Sequence, residues 1–273
     1  MKKRIILTPY IVWCIVFIIV PMVLVLFFGL TDESGKFTTR NLCEVFLYPD
    51  VFLRSLWLGF KATAICLVVG YLSALIISRL NVKLQKILII LVMLPMWMNF
   101  LLKIYSLMFI LQDNGFINGI LSSFGFSKFN MMNTEGAVIL GMVYNFLTYM
   151  ILPIHSSLVE IDEKLLDAAK DLGANYFMTF VKVIFPLSIP GIVSGIAMVF
   201  IPSVSTFILS KMLGGRQNFL VGDIIDMHFL GGIYDPHIGS AISLVLMILL
   251  LICTGIINQL QNENKSKKGA LVI

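Results

Sequence analysis

Long uncharged apolar runs constrain this chain more than any other feature of its sequence. Residues 5–30 hold no Asp, Glu, Lys or Arg over 26 positions, and several comparable runs recur along the 273 residues. About 20 consecutive apolar residues suffice to cross a bilayer as a helix. Hydrophobic residues make up 59% of the chain and charged residues 13%, against about 45–50% and about 25% in soluble domains. The sequence therefore predicts an all-α integral membrane protein.

Six of these runs are long enough to be spans. We predict spans at residues 5–30, 56–78, 87–111, 136–154, 187–209 and 238–260. The first exceeds the apolar stretch of about 7–15 residues in a signal peptide and lacks a small-residue cleavage site, so we predict that it is not cleaved. Residues 112–135 are mixed in character, which favours loops around a short interfacial helix. The glycine-rich composition of residues 211–237 predicts a loop.

Two details of the spans carry further predictions. Gly191 and Gly195 stand four residues apart in the fifth span, and that spacing permits close contact between membrane helices. Lys61 and Lys103 fall near one edge of the second and third spans. We expect both lysines to extend to the membrane interface, because a long side chain can keep its ammonium in water.

One stretch between the fourth and fifth spans is rich in charge. Residues 160–186 carry five carboxylates and three lysines, so they must lie in water. Apolar residues recur there at helical spacing, at Leu158, Ile161, Leu165, Ala168, Ala169 and Leu172. Gly173 follows where helices commonly close, Asn175 can cap a second short helix, and Pro186 breaks the backbone hydrogen-bond ladder. We therefore predict an elbow of two short helices.

Basic residues are distributed unevenly between the two sides of the membrane. The N-terminus, residues 79–86, the elbow and the C-terminal tail together carry twelve Lys and Arg, whereas the alternate loops carry six. Cytoplasmic loops are the ones that carry an excess of Lys and Arg. Both termini and the elbow are therefore predicted to be cytoplasmic, and the even number of spans agrees with this.

Motifs for catalysis are missing from the sequence. No G-x-x-x-x-G-K-[ST], H-E-x-x-H or G-x-S-x-G occurs, so neither nucleotide hydrolysis nor a nucleophilic or metal-dependent reaction is indicated. The three His are scattered and the four Cys form no C-x-x-C, which favours no metal site and no catalytic residue. The cores of the six predicted spans hold no Asp or Glu, although ion-coupled carriers commonly place ionisable groups at mid-membrane.

The elbow also resembles a known family. D-A-A-K-D-L-G-A at 167–174, followed by I-F-P-L-S-I-P-G at 184–191, is similar to the EAA loop of permease subunits of bacterial ABC importers. The leading Glu of the family pattern is Asp167 here. The resemblance implies a type I ABC importer permease fold whose loop docks into a groove of a separate ATP-hydrolysing subunit. The residues implied in this coupling are Asp167, Ala168, Ala169, Asp171, Leu172 and Gly173.

Three outer-side strings suggest the subfamily. L-P-M-W-M-N-F-L-L-K-I-Y-S-L at 94–107, L-Q-D-N-G-F-I-N at 111–118 and L-G-G-R-Q-N-F-L-V-G-D-I-I-D-M-H-F-L at 213–230 resemble PotB-type permeases of spermidine/putrescine importers. The resemblance divides the chain into a first transmembrane helix with its outer loop (1–55), a permease domain with the EAA loop at 160–186 (56–260), and a cytoplasmic tail (261–273).

Partners and location follow from the same resemblance. It implies a multi-pass protein of the bacterial plasma (inner) membrane, surrounded by lipid, with no nucleic-acid partner. A PotC-like second permease, a PotA-like ATPase dimer and a PotD-like extracytoplasmic polyamine-binding protein are the implied partners. No cofactor is expected in this chain, since ATP and Mg belong to the ATPase. The alternatives are an ABC permease for another small solute or ion, such as iron or sulfate, or a stand-alone secondary carrier or channel.

Candidate residues for the substrate pathway are polar, acidic or aromatic. A polar group facing lipid is costly, outer-side carboxylates attract ammonium groups, and aromatic faces bind cations. The candidates are Trp97, Asn99, Tyr105, Asn145, Tyr149, Ser203, Ser205, Asp223 and Asp226. Hydrogen bonding between helices, solvated loop charges and the interfacial aromatic belt are the alternative roles for such residues.

Overall fold

The computed structural model describes residues 2–215 and 218–271, and the side chains within 8–215 and 218–259. Over these residues the chain is helical, apart from turns and one isolated β-bridge between Thr31 and Phe37. Six segments are long and apolar enough to cross a membrane: Thr8–Gly29, Pro49–Ser78, Phe100–Ser123, Glu135–Val159, Tyr176–Ser205 and Pro236–Gln259. The predicted all-α membrane fold with six spans is confirmed.

The first and last spans pack against each other. Helices α1 (Lys2–Cys14) and α2 (Val20–Gly29) are joined by a π turn, and α2 contacts the last helix, α13 (Pro236–Leu271). A short helix, α3 (Arg40–Val45), also contacts α13. Arg216 and the last two residues of the predicted tail 261–273 lie outside the described residues, as do the side chains of the terminal lysines.

Three long helices form the core of the bundle: α4 (Pro49–Ser78), α8 (Glu135–Val159) and α11 (Phe185–Ser205). A Cβ built on Gly191 would lie 2.5 Å from the carbonyl oxygen of Pro153, and one built on Gly195 would lie 2.6 Å from Sδ of Met150. Only glycine permits so short an approach between α8 and α11, so the predicted close contact is confirmed.

The third span differs from the prediction of one continuous helix over 87–111. Helix α5 (Val82–Trp97) ends after Pro95, and α6 (Phe100–Leu111) begins as a new helix. Met98 is extended, and the side-chain oxygen of Asn99 accepts hydrogen bonds from the backbone N–H groups of Leu101 and Leu102 at 2.9 and 3.3 Å. A capping side chain of this kind starts a helix. The expected short helix between loops is α7 (Phe116–Ser123).

The elbow contains α9 (Glu163–Asp171) and α10 (Tyr176–Thr179). The sequence predicts a separate second short helix, but α10 continues through a π turn at Phe180–Ile184 into α11. Pro186 lies in the first turn of α11 instead of ending a helix. Proline is tolerated inside this continuous helical segment because local π turns help to satisfy the backbone groups that it leaves free.

The predicted loop at 211–237 contains a helix, so that prediction is wrong in part. A π turn at Ser210–Gly214 leads to α12 (Val221–Phe229), which lies against α13. One carboxylate oxygen of Asp223 accepts the backbone N–H of Leu220 at 2.7 Å and stabilises the start of α12. The many glycines around this helix concealed its short apolar pattern.

The two lysines near the span edges have different surroundings. Nζ of Lys61 lies 2.5 Å from a carboxylate oxygen of Glu135 and 5.2 Å from the centroid of the Trp57 ring. Lys103 is covered by neighbouring residues, with only 5% of it exposed, and its Nζ lies 5.8 Å from the centroid of the Phe100 ring. Lys103 therefore does not lie on the outer surface of the bundle, contrary to the expectation.

Candidate functional site

Helix caps and a closing glycine, each formed by residues close in sequence, define the two short helices of the elbow. The Asp162 carboxylate accepts the N–H of Lys164 at 3.0 Å and caps the start of α9. Gly173, with φ of 78°, closes the helix, and the N–H of Ala174 reaches the carbonyl of Ala169 at 3.0 Å. Asn175 then caps α10 by accepting the N–H of Met178 at 2.8 Å. The predicted closure at Gly173 and cap at Asn175 are both confirmed.

The apolar stripe of α9 faces solvent to a large extent. Leu166 is the buried residue of this helix, whereas Leu165 is 49% exposed and Leu172 is 88% exposed. The exposed apolar surface of the elbow, here named the elbow surface, comprises Leu165, Ala168, Leu172, Tyr176 and Phe177. Large apolar side chains exposed together on a short polar segment are a feature of surfaces that bind another molecule.

Charged residues border the elbow surface. Asp167 and Lys170 form a salt bridge of 2.9 Å, and about two thirds of each side chain is exposed. Such exposed pairs stabilise a protein by only about 0–1 kcal/mol, so either partner can re-pair at little cost. Asp171 is exposed and Ala169 is half-buried. The six residues implied in coupling therefore lie together on one short solvated segment.

A second candidate site is a cavity of about 690 Å³ between the end of α11, α12 and the middle of α13, here named the outer cavity after the side of the membrane on which the sequence predicts residues 211–237 to lie. Its lining is mostly apolar and includes the rings of Phe207 and Phe229. Ser205 and Asp226 are its pathway candidates. The structure thus brings together two residues that stand 21 positions apart in the sequence.

Asp226 is paired with a lysine at this cavity. Its Oδ2 lies 2.9 Å from Nζ of Lys211, and 14% of the Asp226 side chain is exposed against 64% for Lys211. The hydrogen bond and the charge of the carboxylate raise the pKa of the Lys211 ammonium. No local sequence pattern indicates this pair, because it depends on α12, which lies where the sequence predicts a loop.

Asp223 lies deeper than Asp226. It is 3% exposed, and no described group hydrogen-bonds its Oδ1. Burial raises the pKa of its carboxyl to about 6. Its other oxygen caps α12, so one of the two acidic candidates supports the helix that carries the other.

The remaining candidates fall into two groups. Trp97, Asn99 and Tyr105 lie exposed around the break between α5 and α6. Asn145 and Ser203 are buried, and each donates a hydrogen bond to a carbonyl of its own helix, at 2.9 Å and 2.7 Å. Tyr149 is half-buried, and its ring centroid lies 6.4 Å from that of Phe146. The structure therefore does not gather the nine residues into one site.

A six-span helical bundle with a solvated elbow between its fourth and fifth spans is the architecture of an ABC importer permease. One chain of a bacterial alginate ABC transporter, solved in complex with an alginate pentasaccharide-bound periplasmic protein, has a similar fold. Its TM-score is 0.78 at 16% identity, over 96% of this chain and 94% of that chain. Residues 66–266 match the family of binding-protein-dependent transport system inner membrane components, to which the chain belongs.

Curated relatives are similar over nearly the whole chain. The spermidine/putrescine transport system permease protein PotB of Haemophilus influenzae is 39% identical over 264 residues, which cover 92% of each chain. PotB of Escherichia coli K12 is 36% identical over 87% of this chain and 90% of its own. The chain is thus a multi-pass inner-membrane permease subunit. The domain boundaries given above stay predictions.

Proposed function

We propose that this chain forms half of the translocation pathway of an ATP-driven importer for polyamines, with spermidine and putrescine as cargo. The cargo is inferred from the PotB relatives, whose similarity extends over both ends of the bundle. The outer cavity supports a cationic cargo, since its lining combines apolar surface, two aromatic rings and a carboxylate. Alternating ammonium and methylene groups need such a combination.

The exposed elbow surface is the observation that carries ATP-driven transport. Leu172, which directly follows α9, is 88% exposed. A PotA-like ATPase dimer, which would hold ATP and Mg, covers this surface in our proposal. This chain itself contributes no catalytic residue. The coupling residues are Asp167, Ala168, Ala169, Asp171, Leu172 and Gly173.

Two further partners complete the proposed transporter. A PotC-like permease supplies the other half of the pathway, and a PotD-like extracytoplasmic protein delivers the polyamine. The related alginate transporter chain, solved with a periplasmic protein, supports delivery of this kind. Both termini and the elbow are placed in the cytoplasm, in line with the distribution of basic residues.

Transport proceeds by alternating access in this proposal. ATP binding closes the motor subunits, the elbows move toward each other, and the bundle opens outward to accept the cargo. Hydrolysis then resets the bundle. Affinity resides in the delivery protein, because a pathway that binds its cargo tightly would not release it.

The nine pathway candidates contribute unequally to the proposed passage. Ser205 and Asp226 share the outer cavity and lie where cargo enters. Trp97, Asn99 and Tyr105 form a second exposed group at the α5–α6 break. Asn145, Tyr149, Ser203 and Asp223 lie further inside the bundle and, in the proposal, contribute to the pathway when its helices rearrange.

No observation favours the alternative functions. A stand-alone carrier needs its own energy coupling, and the carboxylates of the described spans lie at their ends or in the turn after α6. Copurification in mild detergent tests this alternative directly, since a stand-alone carrier brings no ATPase and moves solute in liposomes without ATP.

The test of the elbow is Leu172→Glu in the assembled transporter. We expect uptake of labelled spermidine to fall by about tenfold or more, which corresponds to about 1.4 kcal/mol of lost docking free energy. The substitution should leave membrane insertion intact, because Leu172 touches little of its own chain. Uptake and ATPase copurification are measured together in proteoliposomes with the binding protein present.

Glu163→Gln, an exposed position in the first turn of the same helix, is the matched control and should transport normally. Wild-type rates for Leu172→Glu, with the ATPase still copurifying, would contradict docking at the elbow surface. A wild-type transporter that moves neither spermidine nor putrescine would contradict the cargo.

A further inference from the structure

Lys211 and Asp226 form an ion pair at the outer cavity, and the two side chains differ in how far they are exposed. Asp226 lines the cavity and most of its side chain is covered, whereas Lys211 comes from the π turn before α12 and is largely exposed. Their charged atoms are 2.9 Å apart. One partner thus belongs to the lining of the cavity, and the other reaches the same carboxylate from the π turn, outside that lining.

The chemistry of the Lys211 side chain matches the proposed cargo. A lysine side chain is four methylene groups ending in a primary ammonium, which is the aminobutyl unit found in both putrescine and spermidine. Its three donors and compact charge are those of a terminal polyamine nitrogen. The position that Lys211 Nζ takes beside Asp226 is therefore one that a cargo ammonium can take with the same contacts.

We propose that Asp226 is the subsite for a terminal ammonium of the polyamine, and that Lys211 occupies this subsite until the cargo displaces it. The inference rests on the proposed polyamine cargo. It assigns Lys211 the role of an intramolecular competitor. The exchange replaces one ammonium with another, so the half-buried carboxylate is never left without a counter-charge, which would be costly.

The dimensions and lining of the cavity suit this exchange. Its volume of about 690 Å³ falls within the ~300–1,000 Å³ of small-molecule pockets. Ile225, Phe229 and Leu250 offer apolar surface for the methylene chain. The Ser205 hydroxyl, which donates to the Ile201 carbonyl at 3.1 Å, retains lone pairs for a further cargo N–H.

The exposure of Lys211 also permits exchange. Lys211 is 64% exposed, so its ammonium can return to water when a cargo ammonium takes its place. The carboxylate stays paired during this exchange, and the cargo can enter without breaking the fold. The competing explanation is a structural ion pair that fastens the π turn to α12.

The two explanations predict different effects when each partner of the ion pair is replaced. A structural pair is weakened when either partner is removed, and exchanging the two residues can restore it. A cargo subsite depends on the carboxylate at position 226 alone. We therefore compare Asp226→Asn, Lys211→Met and the double exchange Lys211→Asp with Asp226→Lys in the complete transporter, with its binding protein, in proteoliposomes.

The readout is the initial rate of labelled putrescine uptake per assembled complex. We expect Asp226→Asn and the double exchange each to lower this rate by about tenfold, equivalent to about 1.4 kcal/mol. Lys211→Met should transport at least as fast as the wild type, because it removes the competitor and keeps the carboxylate. Asp226→Glu keeps the charge and should retain most of the uptake.

Arg40 and Glu44 form another ion pair, 3.2 Å apart, in the loop region between the first two spans. Arg40→Gln and Glu44→Gln are matched controls and should transport at wild-type rates. Amounts of assembled complex and unfolding temperatures are measured for every variant, so a folding defect is separated from a transport defect.

Three results would overturn the subsite. The first is a loss of uptake in both Asp226→Asn and Lys211→Met with rescue by the double exchange, which establishes a structural pair. The second is a normal rate for Asp226→Asn in a transporter that moves putrescine, which refutes the subsite and leaves the cargo intact. The third is a wild type that moves no putrescine, which refutes the cargo and the subsite with it.

Discussion

At the scale of single residues, burial gives Asp223 an unusual titration. The native pKa of about 6 lies above the ordinary value of 3.8, because burial disfavours the charged form. The native state therefore holds its proton more tightly than the unfolded state does. Asp223 thus costs the fold stability as pH rises from the unfolded pKa through the native one, and the cost is complete above about pH 6.

Asp223→Asn should remove this pH dependence. An amide oxygen can still accept the Leu220 N–H that caps α12, and the uncharged group has no pKa in this range. We expect the variant to unfold at a higher temperature than the wild type near about pH 8, with the gain shrinking near about pH 5. Thermal unfolding in detergent at both pH values measures the difference. Asp113→Asn, an exposed loop change, is the control.

Lower stability of Asp223→Asn at the higher pH, with an unaffected control, would contradict a buried charge at this site. Transport by the variant is a separate measurement and bears on the pathway role proposed for Asp223.

Residues whose role is local could be predicted from sequence. The closing conformation of Gly173 and the cap at Asn175 involve only the next few residues along the chain, and both were found. The pairing of Lys211 with Asp226 joins residues 15 positions apart through a helix that the glycines concealed. Long-range contacts of this kind follow from packing, which no local pattern encodes.

At the scale of elements, the helix α9 was predicted correctly, but its packing was not, because local patterns do not encode long-range contacts. The periodic stripe predicted an amphipathic helix, which is present. The stripe does not tell whether the protein's own core or another protein covers it, and Leu165 and Leu172 proved to be exposed. The break after α5 was missed because Asn99 caps a helix inside an apolar run, where hydropathy alone predicts continuity.

The contact of α8 with α11 supplies a prediction about helix packing. Gly191→Val should destabilise the bundle by about 1–3 kcal/mol or more, because overpacked contacts force neighbouring groups apart. The nearest obstacle is the backbone carbonyl of Pro153, at 2.5 Å from a built Cβ, and backbone cannot rotate away as a side chain can. Unfolding temperature and the yield of monodisperse protein in detergent measure the effect.

Gly255→Val is the matched control, since it places the same side chain on a spanning helix with nothing within 4 Å of the new Cβ. Equal stability of the two variants would show that the α8–α11 contact relaxes more readily than its geometry indicates.

At the scale of the whole molecule, orientation can be tested with a natural reporter. Cys43 is exposed, whereas Cys66 is buried and the other two cysteines are half-buried. With the elbow in the cytoplasm, α3 and Cys43 lie outside. A membrane-impermeant maleimide should label Cys43 in spheroplasts, and Cys43→Ser should abolish the label.

Leu172→Cys in the Cys43→Ser chain, expressed without the ATPase that would cover the elbow surface, should be labelled only after the cells are broken. Labelling of this elbow cysteine from outside would reverse the orientation and contradict docking of a cytoplasmic ATPase at the elbow.

The continuity of the elbow with the fifth span has a mechanical consequence. Tyr176–Ser205 is 30 residues long, a rod of about 45 Å at about 1.5 Å per residue. Gly191, where a neighbouring backbone touches it, lies 15 residues from one end and 14 from the other. If that contact acts as a pivot, the two arms are nearly equal. A tilt of the segment by about 5° would then move its two ends by about 2 Å in opposite directions.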